Sequence, residues 1–223
     1  MKHVLITGGT GLIGSALCKL LLSQQHQVTV LSRQPDIVLA KCGQHVKGVQ
    51  SLSDISDETP IDWVFNLAGE PIAGKPWTKK RKSVLEASRI DLTQQLVDWI
   101  AQRKNAPDCL ISGSAVGWYG DGKYTVLTEH SDFVDEYTHQ LCDAWEQQAL
   151  RAKEFGVRVC TIRTGLVLAP TGGFLHKMLL PFKLSLGGKL GSGQQYMPWV
   201  HINDMVRLLA FLADNEQAQG PFN

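Results

Sequence analysis

The residues of this chain that most directly suggest chemistry are three glycines at three-residue spacing, Gly8, Gly11 and Gly14. An apolar run precedes them and apolar residues at helical spacing follow, which predicts a strand, a tight turn and a helix. One glycine would let the chain turn, one would let the backbone approach a pyrophosphate, and one would let the helix lie against the strand. The helix amides would then face the phosphates. An ordinary glycine turn is the alternative, but the flanking strand and helix favour dinucleotide binding.

A second candidate position lies at the end of the next strand-like run, 27–32, where Ser32 is followed by Arg33. In a dinucleotide-binding unit this position meets the adenosine ribose. An acidic residue there binds both ribose hydroxyls, whereas an arginine attracts a 2′-phosphate. Ser32 and Arg33 therefore favour NADP over NAD. The open alternative is that Arg33 stacks on adenine or points into solvent, which leaves the preference undecided.

Hydroxyl groups gather after a later apolar run, 108–112. The carboxyl end of a parallel strand is where open α/β sheets bind ligands, so Ser112 and Ser114 are candidates for hydrogen-bonding a reacting oxygen. The alternative that they brace the following loop is equally supported. His201 has no second histidine at metal spacing, so we expect it to have a hydrogen-bonded structural role. Asn203 is the expected cap of the helix that follows.

The segment from Lys75 to Lys82 is the only dense run of charge. Thr78 could cap a helix that continues to Ile100. Cations in a first helical turn oppose the helix dipole, so either an anionic ligand offsets them or the helix start is solvated, and the second interpretation is favoured. Arg89, in the middle of this helix, could reach cofactor phosphates or a substrate.

The composition disfavours several classes of protein. With 223 residues and a net charge of +1, the chain can bury a full core but has no general attraction for nucleic acid or membranes. Its five cysteines are scattered, which argues against disulfides and against a metal site. No run reaches the ~20 apolar residues of a membrane span. No basic and apolar leader precedes the first strand, so we expect a cytoplasmic protein.

Strand-like and helical segments alternate along the chain up to about residue 168. This alternation predicts the α/β class, with a Rossmann-type, doubly wound parallel sheet. From Pro170 the sequence changes to glycine-rich loops around a short helix, 174–186. We therefore expect a cofactor-binding domain at 1–168 and the start of a small C-terminal substrate lobe at 169–223, interleaved with it.

Several segments together resemble the extended short-chain dehydrogenase/reductase superfamily: 7–14 (TGGTGLIG), 66–69 (NLAG), 112–120, and His201 with Asp204. The segments 88–89, 145–146, 163–165, 180–182 and 191–194 are similar to signatures of an atypical group within it, the nucleoside-diphosphate-sugar epimerases. The resemblance implies a Rossmann-type domain that holds NADP(H), with substrate bound towards the C-terminal part. The residues that it gives to the cofactor are Gly8, Thr10, Gly11, Leu12, Ile13, Gly14, Ser32, Arg33, Leu67, Ala68, Gly69, Arg89 and Val167.

The chain departs from the superfamily in its catalytic residues. Superfamily enzymes that transfer hydride use a Tyr-x-x-x-Lys pair, in which the lysine lowers the pKa of the tyrosine. Aligned on 145–146, this chain has Thr138 and Cys142 at those positions, so the standard proton relay is absent. Ser114 and Tyr119 remain as candidate catalytic residues. Family members also continue for several more strands and helices, so we expect the substrate lobe to be partly truncated in this sequence.

Two functions remain open. The first is an NADP-dependent epimerase or reductase acting on a hydroxyl or carbonyl of a small substrate, such as a sugar nucleotide, whose phosphates Arg89, Arg163 or the run 79–82 could hold. The second is an NADPH-binding redox sensor without turnover, whose partner would dock on aromatic side chains of the later loops. Nucleic-acid binding through 79–81 is disfavoured on a nearly neutral chain. The oligomeric state is left open, a homodimer included.

Overall fold

The computed structural model describes residues 1–223. Its strands are β1 (His3–Thr7), β2 (Gln27–Leu31), β3 (Val46–Val49), β4 (Trp63–Asn66), β5 (Cys109–Ala115), β6 (Arg158–Thr164), β7 (Leu166–Ala169), β8 (Trp199–His201) and β9 (Gly220–Phe222). Seven of them form one parallel sheet in the order β3-β2-β1-β4-β5-β6-β9, and β7 pairs with β8 separately. The predicted doubly wound α/β fold is confirmed.

Helices join and cover the strands. They are α1 (Leu12–Ser23), α2 (Val38–Cys42), α3 (Lys79–Glu86), α4 (Leu92–Ala101), α5 (Tyr137–Leu150), α6 (Gly173–Lys183) and α7 (Ile202–Asp214). The direction of strand addition reverses between β1 and β4. Strands β2 and β3 are added on one side of β1, and β4, β5 and β6 are added on its other side. In a doubly wound sheet a ligand crevice opens at this point, outside the carboxyl ends of the strands.

Both faces of the sheet are covered, because successive side chains of a strand point to opposite faces. Val4 and Ile6 of β1 pack in the layer formed with α1, α2 and α7, whereas Leu5 packs in the layer formed with α4 and α5. The first layer contains a cluster of 24 buried residues and the second a cluster of 13. The strands are apolar without alternation for this reason.

Three local details differ from the expectations. The predicted helix from 79 to 100 is interrupted by a π-helical turn, Ala87–Asp91, between α3 and α4. Strand β5 runs beyond Ser112 to Ala115, because its backbone stays paired with β6 up to Thr164. The prediction that Asn203 caps α7 was wrong. The cap is His201, whose Nδ1 accepts a hydrogen bond from the Asn203 amide at 3.2 Å, which confirms the expected structural role of that histidine.

The C-terminal part leaves the main sheet and then returns to it. Helix α6 and the pair β7-β8 lie outside, whereas β9 joins β6 at the sheet edge. The guanidinium of Arg158 holds this return, since it donates to the carbonyl oxygens of Leu212, Ala213 and Ala218 at 2.9, 2.7 and 2.7 Å. None of the helices combines the length and the apolar character that crossing a bilayer requires.

Candidate cofactor and active site

No side chain fits at Gly8, in the turn between β1 and α1, or at Gly14, in the first turn of α1. Gly8 has a φ of +71°, and a Cβ on it would lie 2.7 Å from the backbone of Leu67 and Ala68, just after β4. A Cβ on Gly14 would lie 2.3 Å from the carbonyl oxygen of Gly8. Gly8 therefore lets the chain turn beside β4, and Gly14 lets α1 lie on the turn.

Helix α1 begins without a side-chain cap. Its first residue is preceded by Gly11, which is exposed and has extended backbone, and no acidic residue occupies the first turn. The amides of Leu12, Ile13 and Gly14 have no carbonyl partner within the helix. Thr10, Leu12 and Ile13 are half-buried around them. The crevice therefore presents unpaired N–H groups and the positive end of a helix dipole, which together suit an anion.

Ser32 and Arg33 follow the end of β2, at the same edge of the sheet as the glycine turn. The Ser32 hydroxyl accepts a hydrogen bond from the Gln34 amide and donates one to the Gln34 carbonyl, both at 3.1 Å, so it shapes a local turn. The Arg33 side chain is exposed and pairs with no other group of the protein. Its guanidinium is free to bind a phosphate.

Arg89 lies on the π-helical turn and reaches back to the loop after β4. Its guanidinium donates to the carbonyl oxygens of Leu85 and Glu70 at 3.3 and 3.1 Å and lies 5.3 Å from the ring centroid of Trp145. A Cβ on Gly69 would come within 3.0 Å of it. Burial lowers the pKa of Arg89, and no carboxylate forms an ion pair with it. A cation without a counter-charge therefore borders the crevice.

The β7–α6 turn lies against the start of α1. A Cβ on Gly172 would be 3.2 Å from the Leu12 side chain, and one on Gly173 would be 3.0 Å from that side chain and 3.1 Å from the Val167 carbonyl oxygen. Val167, half-buried in β7, thus lies close to the uncapped helix end. The C-terminal lobe adjoins the crevice at this point.

Ser114 belongs to a buried polar cluster. Its hydroxyl donates to Glu146 Oε1 at 2.6 Å, and Arg163 binds the same carboxylate through Nε and Nη2, each at 3.0 Å. None of the three residues is more than 6% exposed. Burial opposes the charge of Arg163, but hydrogen bonds to Glu146 and Tyr119 outweigh it and hold its pKa above the usual value. Arg163 is therefore buried in the interior and is not accessible to a substrate phosphate, contrary to one of the expectations.

Tyr119 belongs to the same cluster. Its hydroxyl donates to Asn223 Oδ1 at 2.7 Å and accepts a hydrogen bond from Arg163 Nη1 at 3.0 Å, and the residue is 3% exposed. The ring of Trp118 covers the guanidinium of Arg163 at 3.5 Å. Proton exchange between Tyr119 and a substrate would require these hydrogen bonds to break. A catalytic role for Tyr119 stays a prediction.

The positions at which the superfamily has tyrosine and lysine are both neutral here. Thr138 packs on Gly117, where a Cβ would lie 3.1 Å from the threonine Cβ. Burial raises the pKa of the Cys142 thiol to about 11, so it is uncharged at neutral pH. The adjacent Tyr137 donates to the Lys82 carbonyl at 3.3 Å, and burial raises its pKa as well. No lysine-assisted tyrosine occupies the usual place.

A second buried network, which the sequence did not indicate, joins the sheet to α4 and α5. Asn66 accepts from Thr7 Oγ1 at 2.8 Å and donates to Thr93 Oγ1 at 2.7 Å and Ser112 Oγ at 3.2 Å. Trp145 Nε1 also donates to Thr93, at 2.9 Å. Ser112 therefore braces the interior and does not face a ligand. The only hint was that Asn66 and Trp145 lie in segments that resemble the family.

In the cationic run at the start of α3, some side chains are exposed to solvent and one is buried in the protein. Lys79 and Lys80 are exposed, as expected of a solvated helix start, and Thr78 caps the helix by accepting from the Arg81 amide at 3.2 Å. Arg81 is buried and pairs with Glu70 at 3.0 Å, which lowers the pKa of that carboxyl group. No group of three or more His, Cys, Asp or Glu side chains is placed to hold a metal ion.

A glycine turn and an uncapped helix start, at the switch point of a doubly wound parallel sheet, define a dinucleotide-binding protein of the Rossmann type. The sequence matches the model of the NAD dependent epimerase/dehydratase family over residues 4–223. The chain belongs to this family, and the resemblance drawn from its motifs is confirmed.

Relatives and solved structures agree with this assignment. An epimerase family protein of Staphylococcus haemolyticus is 40% identical over 230 residues, which cover all of this chain and 74% of the relative. The human epimerase family protein SDR39U1 (isoform 2), solved with NADPH, is 32% identical with a TM-score of 0.87, over 99% of this chain and 73% of that one. A nucleoside-diphosphate sugar epimerase of Corynebacterium glutamicum is 30% identical with a TM-score of 0.82, over all of this chain and 46% of that one.

A more distant likeness concerns the fold alone. UDP-glucuronic acid 4-epimerase of Bacillus cereus, solved with UDP-glucuronic acid and NAD, is 20% identical with a TM-score of 0.79, over 99% of this chain and 76% of that one. NADPH accompanies the human protein and NAD the Bacillus enzyme. The likeness to the Bacillus enzyme shows a shared fold, while the family match and the relative from Staphylococcus haemolyticus show the family.

Proposed function

We propose that this protein binds NADP(H) and transfers hydride to or from a hydroxyl or carbonyl carbon of a small molecule, as an epimerase or a reductase. The proposal is carried by the uncapped start of α1 together with the free guanidinium of Arg33. A pyrophosphate needs N–H donors, and a 2′-phosphate needs a cation. The NADPH of the human relative supports the choice of NADP. The resemblance makes sugar nucleotides the first substrates to test.

The residues around the crevice suit such a cofactor. The turn from Gly8 to Gly14 would hold the pyrophosphate, and Ser32 with Arg33 would hold the 2′-phosphate. The stretch 67–69 would form the floor under the cofactor, and Val167 would form part of the wall. Arg89 would supply the counter-charge to the phosphates, which would also relieve its own lack of a carboxylate partner. In this proposal 1–168 is the cofactor domain, and 169–223 starts the substrate lobe and is interleaved with that domain through α7 and β9.

Ser114 is the residue that we expect to bind the reacting oxygen. When bound, the nicotinamide ring would supply or accept the hydride. Ser114 already donates its proton to Glu146 at 2.6 Å, so its oxygen is an acceptor for a substrate hydroxyl. Ser114 would hold the substrate hydroxyl through this oxygen, while Glu146 keeps its charge as the partner of Arg163. Tyr119 is the second catalytic candidate and would act after its bond to Asn223 breaks.

The test of cofactor choice is the substitution Arg33→Ala. It should weaken NADPH binding by about 10- to 100-fold, since a hydrogen bond to a charged group contributes about 1.5–3 kcal/mol, and should leave NADH binding nearly unchanged. Binding is measured by titration calorimetry with both cofactors. The control is Arg207→Ala, which removes another exposed arginine, on α7. An equal loss for NADPH and NADH, or no loss, would contradict the proposal.

A second candidate function is NADPH binding without turnover, as in a redox sensor. The observations that favour it are the neutral Thr138 and Cys142 positions and the engaged hydroxyl of Tyr119. The two functions are separated by following NADPH consumption with a panel of carbonyl compounds and sugar nucleotides. Turnover that Ser114→Ala reduces at least tenfold supports the enzyme. Tight NADPH binding with no turnover on any compound supports the sensor.

A further inference from the structure

A cavity of about 310 Å³ lies between α1 and α7, at the end of the molecule away from the cofactor crevice. The crevice opens at the carboxyl ends of the strands, whereas the floor of this cavity includes Trp63, with which β4 begins. Ala210 of α7 also lines it, and both residues are buried. The proposed function does not use this cavity.

The floor of the cavity is held in place by its neighbours. The ring of Trp63 lies 5.0 Å from the ring of His26, measured between centroids, and His26 Nδ1 accepts a hydrogen bond from the Lys2 amide at 3.1 Å. An apolar cavity of about 150 Å³ is already large enough to bind benzene. The volume between α1 and α7 therefore accommodates an aromatic side chain without rearrangement of the floor.

Phe211 is the large apolar side chain that α7 exposes at this cavity. It contributes to the lining and is nevertheless 60% exposed, whereas its neighbours Ala210 and Leu212 are buried. An exposed phenyl ring beside a concave surface that it does not fill is typical of an interaction surface. Phe211 is thus a candidate anchor residue for a partner.

Two opposite charges flank Phe211 on the same face of α7. Arg207 precedes it by four residues and Asp214 follows it by three, and both line the cavity. Neither forms an ion pair within the protein. At 1.5 Å per residue they are about 10 Å apart along the helix axis, too far to pair with each other. The face therefore offers one free cation and one free anion on either side of an aromatic ring.

A second copy of the same face is complementary to this arrangement. If two α7 helices pack antiparallel about a two-fold axis near Phe211, Arg207 of each copy meets Asp214 of the other. A parallel arrangement would instead place like charges opposite each other. The two Phe211 rings meet at the axis, and each enters the cavity of the other copy. Charge and shape thus select the same antiparallel geometry.

We propose that the protein forms a symmetric homodimer through this α7 surface, which consists of Arg207, Ala210, Phe211 and Asp214 together with Trp63. The proposal goes beyond the proposed function and does not depend on it, because both cofactor crevices stay open at the outer ends of the dimer. One helix face makes a contact at the small end of known interfaces, so the dimer should dissociate at about 10–100 μM.

The first experiment is sedimentation equilibrium of the full chain between about 1 and 200 μM. We expect a monomer–dimer equilibrium that Phe211→Asp weakens by about 30-fold, the loss typical of a central anchor residue. The matched control is Phe155→Asp, which changes another exposed phenylalanine, 38% exposed, after α5 on the opposite face of the sheet. It should change the dissociation constant less than about twofold.

The second experiment exchanges the two charges. Asp214→Arg places arginines opposite each other and should weaken the dimer at least about tenfold. The double variant Arg207→Asp/Asp214→Arg restores opposite charges at both contacts, so its dissociation constant should return to within about threefold of the native value. A variant that is merely misfolded would not be rescued in this way, and thermal unfolding of each variant verifies that it folds.

Four results would overturn the proposal. They are a monomer at every concentration, equal effects of Phe211→Asp and Phe155→Asp, a dimer that only Phe155→Asp weakens, and failure of the charge exchange to restore association. NADPH affinity is measured for every variant and should change less than about twofold, since the surface lies away from the crevice. A native protein that dimerises but does not bind NADPH would count against the proposed function alone.

Discussion

At the scale of single residues, Glu146 is the carboxylate on which the buried polar cluster depends. It holds the hydroxyl of Ser114 and two nitrogens of Arg163 in the interior, where a charge without a partner is costly. Arg163 in turn holds Tyr119. The geometry of the candidate active site is therefore set by one ion pair.

Replacing this carboxylate should be strongly destabilising. Glu146→Gln leaves the Arg163 charge buried without its partner, so the free energy of unfolding should fall by about 3–5 kcal/mol. The exposed pair of Arg151 with Asp98 is the control, and Arg151→Ala should cost less than about 1 kcal/mol. Urea unfolding of the three proteins measures both effects. Similar losses for the two variants would show that the buried pair contributes no more than a surface pair.

The buried Cys142 thiol should make the free energy of unfolding fall at alkaline pH. Its pKa is raised from 9.0 to about 11 by burial, so the unfolded chain loses this proton at a lower pH than the folded protein does. The contribution is present in full below pH 9 and is lost as the pH rises through 11. Between pH 8 and 10 the loss should be about 1 kcal/mol. Urea unfolding across this range should show a smaller decline for Cys142→Ser. An unchanged decline would contradict the assignment.

The sequence predicts those site residues whose role depends on type and local spacing. Gly14 is of this kind, since the carbonyl oxygen that excludes a side chain there belongs to Gly8, six residues earlier in the chain. The partners of Ser114 and Arg163 are different, because the carboxylate between them comes from a separate helix, α5. No periodicity indicates which hydroxyl will meet which charge. For that reason the sequence makes Arg163 one of three candidates for a substrate phosphate, although it lies in the interior.

At the scale of elements, the packing of α1 on the glycine turn is the most demanding contact. Gly14→Ala would place a Cβ 2.3 Å from the Gly8 carbonyl oxygen, so the helix and the turn must move apart. We expect the free energy of unfolding to fall by about 1–3 kcal/mol, as for other overpacked sites, and NADPH affinity to fall with it. Gly188→Ala is the control, because a Cβ there meets no atom within 4 Å. Thermal unfolding and cofactor titration should separate the two variants, and equal behaviour would refute the steric argument.

Element positions were more predictable than their interruptions. Most strands and helices lie where apolar runs and helical spacing place them, whereas α2 and β8 were not predicted. The π-helical turn at 87–91 carries Arg89, and a single extra residue in a helix leaves the apolar pattern almost intact, so the pattern could not reveal it. The cap of α7 is a histidine, a residue outside the usual capping set, so Asn203 was the natural but mistaken choice.

At the scale of the whole molecule, the sheet order follows from alternation of strands and helices, because right-handed crossovers leave few arrangements. The position of the C-terminal part does not follow from this alternation. Its strand β9 lies in the main sheet while α6 and β7-β8 lie beside the crevice, and the connection depends on Arg158 and three carbonyl groups. Contacts of this kind between distant segments have no signature in a single sequence.

The two faces of the sheet are covered by apolar layers of unequal size. Local opening should therefore be more frequent on the face covered by α4 than on the face covered by α1 and α7. The layer with α4 contains about half as many buried apolar residues as the layer with α1 and α7, 13 against 24, so opening it exposes less hydrocarbon. Deuterium uptake followed by mass spectrometry should therefore be faster in peptides from α4 than in those from α1 and α7. The reverse order would mean that the hydrogen bonds of Thr93 compensate for the thinner apolar layer.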